Sequence, residues 1–332
     1  MTNTYRVVHI ISGDLWAGAE AQIYCLLLHL KPLCDLHAIV MNECILTEKL
    51  RACGVPVTVY HEAQLNVWQI LLLLRRHLTE LNPQVVHTHR QKENILGALA
   101  NVTTIRAKCL RTVHGAPEFK GNWKSQAQKH VDEWIGRHLQ QTIIAVSDAL
   151  ATQLTTVFPA QKVVVIKNGV DIDALKTSVN DGHFDQKKPH QTRIGIIGRL
   201  VPVKRVDLFL NIASQLNQDN YQFHIIGDGP LRKDLEKQAA ALGLTERVKF
   251  HGHRTDIATC IAALDCVIMC SDHEGTPMTA LETLALNTPL IANSVGGLSE
   301  ILANQKNLLV TENTPSEYVT KILSLATLRG KE

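Results

Sequence analysis

The sequence predicts an α/β chain of two parallel-sheet, Rossmann-like units, and three observations carry that reading. Short apolar runs alternate with stretches of helical spacing, the pattern of strands joined by crossover helices. Glycine-bearing loops follow those runs, at Gly13, Gly198, Gly227 and Gly296. The same grammar then restarts after a polar stretch that carries Asn180-Asp181-Gly182 and Lys187-Lys188-Pro189. The expected boundaries are residues 1–175 for the first domain, 176–191 for a linker and 192–332 for the second domain. A chain of 332 residues exceeds one ordinary core, in keeping with two domains.

In the first half, Arg6–Ser12 reads as a strand, followed by Gly13 to Glu20 and an apolar helix to about Leu30. The glycines at 13 and 18 do not form a GxGxxG fingerprint, which argues against a dinucleotide site. Further strands are expected at His37–Met41, Val57–Tyr60, Val85–His89, Lys108–Val113, Thr142–Val146 and Lys162–Ile166. Helices are expected between them at Leu46–Cys53, Val67–Leu81 and Asn94–Val102. Two histidine sites stand at strand ends, where open α/β sheets bind ligands: His87-Thr88-His89, and His114 in Thr112-Val113-His114-Gly115. A metal at His87 and His89 needs a third ligand that the sequence does not name, and for His114 the alternative is a hydrogen-bonded structural role.

Residues 106–137 carry seven Lys/Arg against three acids. Within them, Trp123, Ala127, Val131, Trp134 and, just beyond, Leu139 recur near helical spacing. The expectation is a helix packed by that stripe on its own domain; the alternative is a face turned to a membrane surface or an acceptor.

The second half opens with strand Arg193–Ile197, running into Gly198-Arg199-Leu200-Val201-Pro202-Val203-Lys204-Arg205 and a helix to about Leu216. Strands at Phe223–Ile226, Val248–His251, Cys266–Cys270 and Pro289–Asn293 follow, each closing in a loop, and the last helix is expected at Ser316–Thr327. The richest loop is Ser271 to Gly275. Thr276 and Pro277 signal a helix start there, with Thr276 as the cap, so bare N–H groups face the loop. Glu274 stands at the loop's mouth and Glu282 about a turn and a half into the helix. Two carboxylates beside free N–H groups suit a sugar joined to a diphosphate, the carboxylates accepting hydrogen bonds from sugar or ribose hydroxyls and the N–H groups donating to phosphate oxygens. Arg199 and Lys204, at the same sheet edge, supply the cations a metal-free diphosphate site needs.

Composition bounds the rest. Hydrophobic residues make up 45% and charged residues 20%, as in globular enzymes. Eight cysteines lie scattered in apolar stretches without a CxxC pair and read as reduced core thiols rather than a zinc site. Residues 1–170 hold 17 Lys/Arg and 12 Asp/Glu, and the remainder 17 and 19, so the first half is net +5 and the second −2. That imbalance is too small for a nucleic-acid binder and leaves the first half suited to an anionic surface or substrate. No signal peptide or membrane-spanning run is evident, which places the expected protein in the cytoplasm.

Taken together, Asn168-Gly169-Val170-Asp171, Gly198-Arg199 with Lys204, Gly227-Asp228-Gly229-Pro230, Glu274 with Glu282, and Gly296-Gly297 with Glu300 resemble the retaining glycosyltransferases of family GT4. The resemblance is firm over about 165–310 and looser in the first half, through Ala17-Gly18-Ala19-Glu20 and Thr112-Val113-His114-Gly115. It implies the GT-B fold, two facing Rossmann-like domains with an interdomain cleft. It also implies roles: Arg199 and Lys204 on the donor diphosphate, Glu282 on the ribose, and Glu274 on the transferred sugar. Gly275, Thr276, Pro277 and Met278 would back the donor, Gly18 would admit the diphosphate, and His114 would sit over the sugar. Two departures stand out. Ala17-Gly18 stands where the family often has two glycines, and the sequence stops at Glu332, soon after the expected Ser316–Thr327 helix, where the family usually ends in a helix crossing back onto the first domain. Either that helix is missing or its job is done otherwise.

The expected activity is sugar transfer from a nucleotide-diphosphate sugar, UDP-sugar before GDP-sugar, to a saccharide or lipid-linked saccharide, with retention and no metal or other cofactor. Partners are the donor, the acceptor and, through the first domain, the inner face of the cytoplasmic membrane. A nucleotide-sugar epimerase or hydrolase of the same architecture, or a non-catalytic nucleotide-sugar-binding subunit, are the alternatives.

Overall fold

The computed structural model describes residues 5–13, 16–115, 123–180, 190–216 and 220–329. The chain divides into two compact units, Met1–Gly169 and Val170–Glu332. Of the polar stretch 176–191, residues 181–189 lie outside the described residues.

The first unit runs β1 (Arg6–Ile11), α1 (Gly18–Leu30), β2 (Asp35–Val40), α2 (Ile45–Ala52), β3 (Val57–Val59), α3 (Val67–Leu81) and β4 (Val85–Thr88). It continues with α4 (Gln91–Val102), β5 (Lys108–Val113), α5 (Trp123–His138), β6 (Thr142–Ala145), α6 (Asp148–Thr155) and β7 (Val163–Val165). Its seven strands are all parallel, in the order β3-β2-β1-β4-β5-β6-β7. One face packs Ile11, Ala38 and Val40 against Ile23 and Leu27 of α1 and Leu46 and Leu50 of α2. The other packs Val8, Ile10, Ile39 and Val86 against Ile70, Leu74 and Leu78 of α3. Those helix positions are spaced by four, so one stripe of α3 is fully buried, and truncating Leu74 to alanine would cost about 2–5 kcal/mol.

The second unit begins with α7 (Ile172–Thr177) and then β8 (Thr192–Ile197), α8 (Val206–Gln215), β9 (Tyr221–Ile226), α9 (Arg232–Ala241), β10 (Val248–Gly252) and α10 (Ile257–Ala262). β11 (Cys266–Met269), α11 (Met278–Ala285), β12 (Leu290–Asn293), α12 (Gly297–Ile301), β13 (Leu309–Val310) and α13 (Pro315–Arg329) complete it. Its six parallel strands take the order β10-β9-β8-β11-β12-β13, so each sheet reverses direction beside its own first strand. Strand β11 is buried along its whole length, which is why it reads as an unbroken apolar run; β9 is buried throughout as well, although Gln222 and His224 interrupt its apolar residues.

Two sequence expectations change. Helix α11 starts at Met278, and Pro277, with φ −69° and ψ 128°, takes the cap position that Thr276 was expected to hold. The extended conformation favoured before a proline keeps Thr276 out of the helix. On α5 the packed face is not the middle of the Trp123–Leu139 stripe: Ala127 is exposed, as are Val131 and Trp134, while Ile135 is buried; Leu139, just past the helix, does pack on the core. The buried Arg111 decides this rotation. Its guanidinium donates to Asp132 Oδ2 at 2.9 Å and to the Asp132 carbonyl at 3.0 Å, and its Nε donates to Gln140. An unpaired buried cation would cost far more than two exposed apolar side chains. Lys120 lies outside the described residues, as do the side chains of Trp123 and Lys124.

Candidate active site

In the second unit the sheet reverses between β8 and β11, and ligands of open α/β sheets bind at the C-terminal strand edge at such a point. The loops leaving these two strands are tied together there. Asp272 N–H donates to the Val203 carbonyl at 2.9 Å. Arg205 donates to Asp272 at 3.1 Å and also holds Asp207, so it braces the loops rather than serving as a plain surface charge. From β12, Asn293 Nδ2 donates to the Ser271 carbonyl at 2.9 Å.

Within this frame Lys204 Nζ donates to Glu274 Oε1 at 2.5 Å, and Glu274 is only 9% exposed. Position 274 is fixed from behind by a close backbone approach. Gly296 has φ +50°, and a Cβ there would stand 1.9 Å from the Glu274 carbonyl oxygen. Gly297 N–H donates to the Gly275 carbonyl at 2.8 Å. A second approach of the same kind fixes the neighbouring loop: a Cβ on Gly227 would stand 1.9 Å from the Gly198 carbonyl oxygen. Positions 227 and 296 are glycine because nothing larger fits.

Beyond Glu274, Gly275, Thr276 and Met278 are buried, and Pro277 is half-buried. The backbone N–H groups of Gly275, Met278 and Thr279 meet no acceptor among the described residues. They open on the dipole end of α11, an anion-binding arrangement. Glu282 stands one turn further along α11. Among the described residues its carboxylate has no hydrogen bond or ion pair, and burial alone pushes its pKa from 4.5 up to about 7. Arg199 lies exposed on the loop after β8. The structure therefore brings Arg199, Lys204, Glu274 to Met278 and Glu282 to one sheet edge.

Gly18 and His114 belong to the first unit. Gly18 opens α1 and is exposed, with Ala17 as the cap; its loop neighbours Asp14 and Leu15 lie outside the described residues. His114 follows β5, and burial, with a smaller contribution from Arg90, lowers its pKa to about 4. It does not stand alone. His89 Nδ1 lies 3.3 Å from His114 Nε2, and His89 Nε2 lies 3.1 Å from His9 Nδ1. His87 stacks on His89 and bonds Thr112 Oγ1 through Nε2 at 2.8 Å.

His9 is the third histidine that a metal at His87 and His89 would require, with one nitrogen of each within 4.8 Å of the others. Sequence reasoning missed it because only the β1–β4 register, His9 opposite His87, brings them together. The ring geometry favours hydrogen bonding over coordination. His9 and His89 are inclined by only 18° and their nitrogens already face each other, whereas metal-bound imidazoles radiate from a common point.

Two family models match, one on each half. Glycosyltransferase Family 4 matches residues 16–174, and Glycosyl transferases group 1 matches residues 180–332. Among curated proteins, the chain is 26% identical over 300 residues to an Escherichia coli UDP-Gal:alpha-D-GlcNAc-diphosphoundecaprenol alpha-1,3-galactosyltransferase, covering 84% of this chain and 75% of that protein. It is 24% identical over 270 residues to a Rhizobium leguminosarum lipopolysaccharide core biosynthesis mannosyltransferase, covering 77% and 72%. Other relatives are matched over less of their length, 49% and 60% for two Methanocaldococcus jannaschii glycosyltransferases of uncharacterised role. The fold of Anabaena HepE, solved with UDP-glucose, superposes with a TM-score of 0.83 at 20% identity, over 98% of this chain and 91% of that one. With the two matched segments spanning nearly all of its length, the chain belongs to the glycosyltransferases, pairing a Family 4 first half with a group 1 second half.

Proposed function

We propose that this glycosyltransferase moves a sugar from a nucleotide-diphosphate sugar, a UDP-sugar before a GDP-sugar, to a saccharide or lipid-linked saccharide, with retention of anomeric configuration and without a metal. The observation that carries the reading is the buried Glu274 paired with the half-buried Lys204, beside Glu282, which has no partner among the described residues, and the bare N–H groups at the start of α11. In this reading Glu282 accepts hydrogen bonds from the ribose hydroxyls, which supply the donors its carboxylate lacks. Arg199, Lys204 and the N–H groups of Gly275 to Met278, the proline apart, take the charge that develops on the departing diphosphate. Glu274, oriented by Lys204, contacts the transferred sugar. From the first unit, Gly18 contacts the diphosphate and His114 the sugar.

Double displacement needs a carboxylate nucleophile with a second acid nearby. Glu274 is the one carboxylate assigned to the sugar, and its ion pair with Lys204 suits it to binding. Front-face substitution follows, the departing phosphate oxygen taking the acceptor's proton. Support for a lipid-linked acceptor comes from the Escherichia coli relative, named for a diphosphoundecaprenol substrate, and from the exposed Val131 and Trp134 on α5. No described helix is long and apolar enough to cross a membrane, so contact with the cytoplasmic leaflet would be peripheral.

The test is transfer from UDP-galactose, UDP-glucose, UDP-N-acetylglucosamine and GDP-mannose to diphosphoundecaprenol-linked N-acetylglucosamine, with and without EDTA. An α-glycoside formed equally well in EDTA is the expected outcome. Free sugar or an epimer without glycoside overturns transfer, and loss in EDTA with rescue by Mg²⁺ or Mn²⁺ overturns the metal-free reading.

A further inference from the structure

The histidines at the C-terminal edge of the first sheet form a chain that the sugar contact alone does not need. His9, His87 and His89 are buried and His114 is half-buried, all on the sheet face that carries α1. His9 Nδ1 meets His89 Nε2 at 3.1 Å and His89 Nδ1 meets His114 Nε2 at 3.3 Å. The ring centroids of these pairs are 5.4 and 5.5 Å apart, roughly the nitrogen–nitrogen separation plus two ring radii, and the planes are inclined by 18° and 24°. The rings therefore lie edge to edge, nearly coplanar, as in-line hydrogen bonds require. Both outer nitrogens, His9 Nε2 and His114 Nδ1, are buried without a partner among the described residues.

Each neutral imidazole carries one N–H, so only two arrangements satisfy both bonds. Either every N–H points toward His114, leaving His9 Nε2 bare and His114 Nδ1 a donor, or all three reverse. One ring cannot change tautomer without the others. Burial keeps the rings neutral, lowering His9 to about 3 and His114 to about 4, so the tautomer is the remaining variable. Arg90, paired with Glu20, adds positive charge near His89 and His114 and opposes a cation there further.

We propose that His89, itself held by His9, sets which nitrogen of His114 carries the proton, making His9 and His89 positioning residues for the reaction; the inference rests on the sugar contact assigned to His114. A neutral His114 held as a single tautomer has one fixed proton arrangement, with no cost of reorganising at the moment of transfer.

The experiment is ¹⁵N NMR of the histidine-labelled full chain at pH 7, which reads the protonation of every ring nitrogen. In the wild type, His9, His89 and His114 are expected each to show one protonated and one bare nitrogen. Averaged or cationic rings overturn the proposal. His89→Phe keeps the ring and removes both nitrogens. It is expected to return His114 to averaged tautomers and to lower kcat by about tenfold or more, with UDP affinity unchanged. An unchanged His114 spectrum, or an unchanged kcat, overturns it. If His89→Phe does not fold, His9→Phe and the wild-type spectrum make the same decision. An averaged spectrum in a chain that transfers sugar rejects the imidazole chain alone, whereas a chain that transfers none rejects the proposed function.

Discussion

Glu282 gives the sharpest test of the site, because one side chain makes opposite predictions for stability and for binding. Its pKa rises from 4.5 to about 7 through burial alone, with no partner among the described residues to offset it. For an acid raised on folding, the penalty is absent below pH 4.5, grows between the two values and is complete above 7. A rise from 4.5 to about 7 corresponds to an upper limit of about 3 kcal/mol. Glu282→Gln removes the charge at nearly constant shape. It should raise the melting temperature of the free protein at pH 8, by up to roughly 10 °C at 2–4 °C per kcal/mol, and leave it unchanged near pH 4.5. The same variant should weaken UDP binding, since a charge-assisted hydrogen bond is worth about 1.5–3 kcal/mol, about tenfold to a hundredfold in Kd. Wild-type binding should strengthen as pH rises through 7, and calorimetry in buffers of different ionisation enthalpy should show proton release below that pH. A variant with wild-type melting at pH 8, or with wild-type UDP affinity, would refute the reasoning.

Three further outcomes are expected. Lys204→Met strands the Glu274 carboxylate and should cost about 1–3 kcal/mol in thermal unfolding while raising the Kd for UDP; full retention of both counts against the pair. Gly296→Ala forces a Cβ into the Glu274 carbonyl at a positive φ and should cost about 2–4 kcal/mol and abolish transfer, read by melting and by product assay. Trp134→Glu with Val131→Glu should leave UDP binding intact and reduce co-sedimentation with anionic lipid vesicles; wild-type protein that ignores such vesicles at low salt rules the membrane contact out.

Most strands were legible in the sequence because they are buried on both faces, so their residues need no polar side. Cys266–Met269 is the plainest case, with all four residues buried. The loop that follows was legible because a carboxylate, a glycine and a proline in that order have few structural uses. What escaped depends on contacts between distant parts of the chain. His9 and His87 are far apart in sequence, and only strand order makes them neighbours. The face that α5 presents is set by Arg111 and Gln140, which no periodicity within the helix records. The start of α11 moved by the conformational preference that Pro277 imposes on its neighbour.

The two glycine contacts behind the site bear on how this chain could be retargeted. Where a backbone oxygen lies 1.9 Å from the place of a missing Cβ, the two loops share one volume, and neither can shift without the other. Insertions or enlargements at Gly227, Gly296 or Gly297 would dismantle the loops that hold Gly198 and Glu274 rather than reshape them. Laboratory evolution toward another sugar should therefore accumulate changes at side chains away from these contacts, leaving the glycine corners untouched. A library that spares those corners samples variation that the architecture can absorb.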